Sequence, residues 1–475
     1  MRRLLLFAAV AGFLFLLAAV AYASEGASVD RLVVVFEGPV DDGWRVRVSL
    51  GAVECSGVVG VNLAYRESRS VSPRLLVAPL YYVLVSACGG GRVASWLQGL
   101  GEANVSVVFG APEGYVVRSG LDWRGFGPPG GPYLVPGFLL RRFYLYDGVV
   151  VASLGGYRVV DVEARGFTLV YPAAGGWGEA ARLVAEAAVA VRGVVSGLLG
   201  GSPRSPAVGV VAAPGEFRFM LPGVGYSLGG VFLVVPEPGA EPGWYVHVAA
   251  HEAVHGWLND GLFYGDFSLA EAATEWLAVL GLWRGNRSLY VLAEPYIGGL
   301  VDFGEPYSVW MKVNALLWLA GLRVCGRDVY GEALASLFRE SLASGAARLY
   351  SLVDVAARVN ETCGPRVLEE WARLLPSAAE ANVTELLASV EYASPGPGPG
   401  GVGSSTVSAA ETGVQPRRPP LRLPPRPPGD AWSWWGRDAV AERASDAGVS
   451  AALLLAVAAV AVSTALLVRA LKRVP

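Results

Sequence analysis

All three histidines of this 475-residue chain fall in one stretch, WYVHVAAHEAVHGW, from Trp244 to Trp257. They stand four apart, at His247, His251 and His255. Residues four apart share one face of an α-helix, a turn from each other, so this spacing commits the stretch to a helix with its imidazoles on one side. The last two histidines frame Glu252 in the pattern His-Glu-x-x-His. Two imidazoles so placed can grip one Zn²⁺ ion while the intervening Glu reaches a water on the metal. A catalytic zinc site takes three protein ligands and keeps a fourth position open. No histidine follows His255, so the third ligand must be a carboxylate or a cysteine, and Asp260, Asp266, Glu271 and Glu275 are the acids within reach. Glu271 and Glu275 are again four apart, and both can face the histidines.

The surrounding punctuation agrees with that helix. It is expected to start after Pro242 and to stop at Asn259-Asp260-Gly261. A second helix, DFSLAEAATEWLAVLGLW, follows with Ser268 as its expected N-cap. Ser268 and Glu271 also form a Ser-x-x-Glu capping box, which gives Glu271 a competing structural role and leaves Glu275 as the other candidate ligand. Further helices are predicted over 310–322, 331–344, 352–360, 366–375 and 378–389.

Upstream, residues 24–165 read as short β-prone runs broken by Gly and Pro: 32–36, 44–50, 58–64, 105–109, 149–154 and 157–162. That pattern predicts a β-rich domain. A second unit spans 166–393, with mixed α/β character to about residue 240 and helices after it. Its predicted elements are strands at 167–171 and 206–213, a helix at 177–199, and an apolar strand at 228–235 just before the histidine helix. That last strand is either an exposed sheet edge, able to pair with an extended peptide, or an interior strand.

The two ends of the chain carry much of its high apolar fraction, 53%. Residues 1–23 have the layout of a secretory signal: Arg2 and Arg3, a long apolar run, then Ala21-Tyr22-Ala23. Residues 394–447 are rich in Pro and Gly and predict a stiff stalk and juxtamembrane segment. Gly448 to Val468 carries no charge over 21 residues, enough to span a bilayer as a helix. Arg469, Lys472 and Arg473 follow, so residues 469–475 are expected to form a cytoplasmic tail with the rest of the chain outside the cell. Four cysteines in an oxidising compartment predict two disulfides, preferred as Cys55 with Cys88 and Cys325 with Cys363. The formal net charge of −3, without a basic stripe, excludes nucleic acid as a partner.

At the histidine and acidic helices the sequence resembles the gluzincin metallopeptidases, the clan of thermolysin and the membrane-alanyl-aminopeptidase family. His251-Glu-Ala-Val-His255-Gly-Trp257 is similar to the aminopeptidases, which also carry Trp two residues after the second His. Asp266-Phe-Ser-Leu-Ala-Glu271 resembles their Asp-x-x-Leu-x-Glu, and Glu271-Ala-Ala-Thr-Glu275 resembles the thermolysin pattern of a ligand Glu followed by an acid four residues on. The likeness continues through Met311-Lys312, Gly331-Glu332-Ala333-Leu334 and Leu368-Glu369-Glu370-Trp371, covering roughly residues 167–389. It implies that His251, His255 and Glu271 bind zinc, that Glu252 is the general base and that Glu275 orients a ligand histidine. The aminopeptidases' transition-state tyrosine falls on Trp310 here. Tyr307, one turn earlier, is the expected substitute, with Tyr264 and His247 behind it. Two features depart from the family: only 15 residues separate His255 from Glu271, and Gly225 to Val235 contains no acid where the aminopeptidases hold the substrate's free amine.

The expected fold class is therefore α+β: an N-terminal β-rich domain, then a thermolysin-like or aminopeptidase-like catalytic domain with a mixed α/β lobe and a helical lobe, and a C-terminal transmembrane helix. The expected function is that of a membrane-anchored extracellular zinc metallopeptidase with one Zn²⁺ per chain. It would hydrolyse peptide bonds in peptide or protein substrates by Glu-assisted attack of zinc-bound water. A non-catalytic cell-surface binding protein on the same fold is the alternative. Glu252 speaks against it, because a structural metal has no use for a base.

Overall fold

The computed structural model of the chain describes residues 30–393 except 41–42, 61–73, 163–165, 202–204, 214–223, 238, 259–262, 266, 298–304, 345–347 and 379. The expected signal (1–23), stalk (394–447), membrane span (448–468) and tail (469–475) lie outside the described residues. Among the described residues no helix is long and apolar enough to cross a membrane. The described residues from Asp30 to Glu391 belong to one compact unit, and it is mixed α and β, with a β-rich N-terminal region and a helical C-terminal part.

Alternation with a period of two builds the first sheet. β1 (Asp30–Val40) buries Leu32, Val34 and Phe36, and β2 (Gly43–Leu50) buries Trp44, Val46, Val48 and Leu50. With β3 (Val53–Gly60), β5 (Asn104–Gly110) and β7 (Tyr133–Pro136) they form a five-stranded sheet in the order β3-β2-β1-β5-β7, where only the β1–β5 pairing is parallel. β4 (Leu75–Pro79), β8 (Gly148–Ser153) and β6 (Tyr115–Ser119) make a three-stranded antiparallel sheet.

Two helices that the strand-only expectation missed, Leu80–Cys88 and Gly90–Gly99, follow β4. The residues Leu-Tyr-Tyr-Val-Leu-Val are β-prone in isolation. Tertiary burial of Leu80, Val83, Leu84 and Val93 against the core of the first sheet overrides that preference. A disulfide joins Cys88, at the end of the first of these helices, to Cys55 in β3.

A second five-stranded sheet carries the chain toward the histidines. Its order is β12-β13-β11-β10-β9, from β9 (Tyr157–Val162), β10 (Phe167–Pro172), β11 (Val208–Val211), β12 (Val224–Leu228) and β13 (Val231–Val235). All five residues of β13 are buried. The single strand expected at 228–235 is thus a hairpin: Gly229, at φ +71°, turns the chain between β12 and β13, β13 lies inside, and β12 is an edge of the sheet among the described residues. The core beneath this sheet includes Leu75, Val150 and Ala152 from β4 and β8, so it is continuous across residue 165.

Helices then close over the sheet. A long helix, Gly178–Leu199, packs against both the histidine helix (Pro242–Val254) and the acidic helix (Phe267–Gly285). The approach to the acidic helix is close enough to need glycine: a Cβ on Gly281 would stand 2.9 Å from Val191 Cγ2 and 3.1 Å from its Cα. Helices Arg287–Ala293, Glu305–Cys325, Val329–Ser344, Leu352–Cys363, Arg366–Leu374 and Val383–Ala393 follow in the helical part, and a disulfide ties Cys325 to Cys363.

Candidate metal centre

The histidine helix begins with Pro242 in its first turn, where a missing N–H costs nothing, and Glu241 extended at the N-cap. Its regular part ends at Val254, earlier than the expected breaker at 259–261. His255 is the C-cap residue, yet its backbone stays right-handed helical (φ −57°, ψ −19°), so it keeps its place one turn beyond His251. The turn that follows is pinned by fully buried Trp257, whose indole N–H donates to Gly200 O at 2.9 Å. The two rings stand edge to face, 4.9 Å between centroids.

Each of these imidazoles has one nitrogen engaged away from the other. His251 Nδ1 donates to Glu275 Oε2 at 2.9 Å, and His255 Nδ1 donates to Leu258 O at 3.2 Å. A carboxylate and a carbonyl only accept, so both rings present Nε2 inward. There they meet Glu271 Oε2, at 3.3 Å from His251 and 3.7 Å from His255. Among the described residues, His251, His255 and Glu271 form a metal-capable group whose donor atoms all lie within 4.8 Å of one another. Donors roughly 2.1 Å from a tetrahedral zinc stand about 3.4 Å apart, so the spacing and the two-imidazole, one-carboxylate donor set fit that ion. All four cysteines are paired, which removes thiolate as the third donor. Asp260 and Asp266 lie outside the described residues.

The acidic helix places Glu271 and Glu275 on the face that meets the histidines. It already includes Phe267, so Ser268 sits in its first turn, and the Glu271 carboxylate lies against the imidazoles. Burial opposes the Glu271 anion, but the hydrogen bond from His251 and the charge of His255 outweigh it and bring the pKa down to about 2. Glu275 is fully buried; burial again opposes its charge, and His247 and His251 together hold the carboxyl below the usual range. For His251 burial disfavours the cation, while hydrogen bonds to Glu271 and Glu275 raise its pKa well above the ordinary value. Such an electron-rich pocket suits a divalent cation in place of protons.

Glu252 is buried beside this group at 8% exposure. Against it lies Gly225 of the edge strand β12, where an added Cβ would come within 2.6 Å of Glu252 Oε1. The sequence marks Gly225 only as the start of the acid-free stretch 225–235, not as a point of close approach. His247 is fully buried one turn before His251 and bonds Glu275 through Nε2 at 2.6 Å; its only signal was the continuation of the four-residue spacing. Tyr307 falls in the first turn of the helix Glu305–Cys325, and Tyr264 in a short strand, Phe263–Gly265. The side chains of both lie outside the described ones.

No protein-family model and no curated protein matches the sequence. Among solved structures the chain is similar to zinc metallopeptidases. An M1 zinc metallopeptidase from Deinococcus radiodurans shares 14% identity over 79% of this chain and 95% of that one, with a TM-score of 0.36. A variant of that enzyme bound to a Tyr-Ser-Ala substrate shares 13% over 73% and 92%, with a TM-score of 0.37. An aminopeptidase N family protein from Idiomarina loihiensis shares 11% over 53% and 52%, with a TM-score of 0.34. At such identities and TM-scores, the chemistry has to be argued from the site's own residues.

Proposed function

We propose that this chain is a zinc-dependent peptidase, and the observation that carries the proposal is the convergence of His251, His255 and Glu271 on one point, with Glu252 buried next to them. A zinc ion held by those three donors supplies a Lewis acid that polarises a peptide carbonyl and acidifies a water. Glu252 takes the proton from the attacking water and later delivers it to the leaving amine. Glu275 fixes the Nδ1–H tautomer of His251 and so aims Nε2 inward. Tyr307 is the proposed donor to the oxyanion. The strand β12, last in its sheet among the described residues, borders Glu252, and we assign an extended peptide to this side of the site. Residues 225–235 contain no acid to hold a free amine, which favours cleavage that does not require an unblocked N-terminus. The uncharged run Gly448–Val468 supports a place on the outer face of a membrane.

The test is metal analysis of the purified ectodomain together with cleavage of a mixed peptide library, half of it N-acetylated, with and without chelator. Stoichiometric zinc and chelator-sensitive cleavage of both halves are expected. A protein that holds no zinc and cuts no peptide overturns the proposal.

A further inference from the structure

Glu275 does more than back one histidine. Its carboxylate is fully buried and bridges two imidazoles, accepting from His251 Nδ1 through Oε2 at 2.9 Å and from His247 Nε2 through Oε1 at 2.6 Å. His247 itself is fully buried, and its Nδ1 has no hydrogen-bond partner among the described residues. A buried imidazole that leaves one nitrogen unsatisfied is costly to keep. A phenylalanine or leucine would fill the same space at the start of this helix more cheaply, so packing alone does not account for a histidine here. The bond to Glu275 does.

We infer that His247 is a positioning residue for the metal centre, acting through Glu275: it fixes the carboxylate that fixes His251. The inference rests on the zinc reading of His251, His255 and Glu271. The physical argument is one of rotational freedom. A glutamate that loses the donor at one of its oxygens gains freedom about its terminal torsion, and the bond it accepts from His251 turns with it. Held at both oxygens by donors on successive turns of one helix, it is locked in the plane that keeps His251 Nε2 aimed at Glu271. Partners that orient a metal-binding histidine are worth about 10- to 100-fold in metal affinity, and a residue one bond further out should sit at the lower end of that range.

The experiment measures zinc affinity of the full-length protein by chelator competition, with the visible spectrum of the cobalt-loaded protein as a second readout. His247→Leu removes the donor and is expected to weaken zinc by about tenfold and to shift the cobalt spectrum. His247→Gln puts an amide N–H near the position of Nε2 and is expected to recover most of that loss. In a Glu275→Ala background, where no carboxylate is left for His247 to hold, the leucine change should have little further effect, because its action passes through Glu275. A His247→Leu protein with wild-type affinity and spectrum overturns the inference, and so does an equal loss with and without Glu275. Should the leucine variant not fold, His247→Asn, whose amide is too short to reach Oε1, takes its place, and equal affinities of the Asn and Gln variants overturn it. A wild-type protein that binds no zinc overturns both this inference and the proposed function; zinc binding that ignores His247 overturns this inference alone.

Discussion

Gly225, on the edge strand of the second sheet, and Glu252, on the histidine helix, are packed so closely that no side chain fits between them. An added Cβ would lie 2.6 Å from Glu252 Oε1 and 2.7 Å from its Cδ. Gly225→Ala must therefore move either the strand or the carboxylate. We expect it to lower kcat by at least about tenfold, since small misplacements of a catalytic group are costly, while zinc content stays at the wild-type level. Wild-type turnover in the alanine variant would show that the carboxylate does not have to stay where it is.

Glu252→Gln keeps the size and loses the base. With the three proposed ligands intact, zinc should be retained at full occupancy, and peptide cleavage should fall by about a hundredfold or more, the range for a missing general base. Metal analysis and single-turnover hydrolysis on the same preparation check both halves. A variant that still cuts would remove Glu252 from the mechanism.

The two acids of the second helix should separate by their effect on metal. Glu271→Gln takes away a proposed donor and should weaken zinc by more than the roughly 10- to 100-fold that losing a partner behind a ligand costs. Glu275→Gln should fall within that smaller range, because its oxygens are 2.6 and 2.9 Å from imidazole nitrogens and the Glu271 oxygen is the one that meets the inward Nε2 atoms. Chelator competition on the two variants gives the order, and the reverse order would exchange their roles.

The parts of this site that a sequence displays are those set by local spacing. His251, His255, Glu271 and Glu275 were legible because i, i+4 repeats on two helices leave few ways to arrange them. The choice between the two acids was not, since a capping box and a ligand have the same local pattern at Glu271. Gly225 was hidden for a different reason: what it touches lies 27 residues away, and a glycine in a turn-like stretch gives no sign of close approach. The helices at 80–99 were missed because their Tyr and Val residues favour strand until the core buries them. His247 was visible as a repeat, but its role depended on Glu275, 28 residues on.

Away from the metal centre, Asp328 gives the fold a pH dependence of its own. Its side chain accepts from Gly331 N at 2.8 Å, at the start of the helix Val329–Ser344. Burial raises its pKa from 3.8 to about 6, over the opposing pull of the Gly331 hydrogen bond and Arg284. A raised folded-state pKa means that the native protein binds the proton more tightly than the unfolded chain. The stability it contributes is therefore fully present below pH 3.8 and lost as the pH rises through about 6. A shift of that size corresponds to at most about 3 kcal/mol. Asp328→Asn keeps an oxygen for Gly331 and cannot ionise. Urea unfolding should find the variant near the wild type at pH 3.5 and more stable at pH 7 by up to about 3 kcal/mol. Comparing the two proteins at each pH cancels whatever the metal centre contributes. A difference that does not change between the two pH values would mean that Asp328 titrates alike in the folded and unfolded chains.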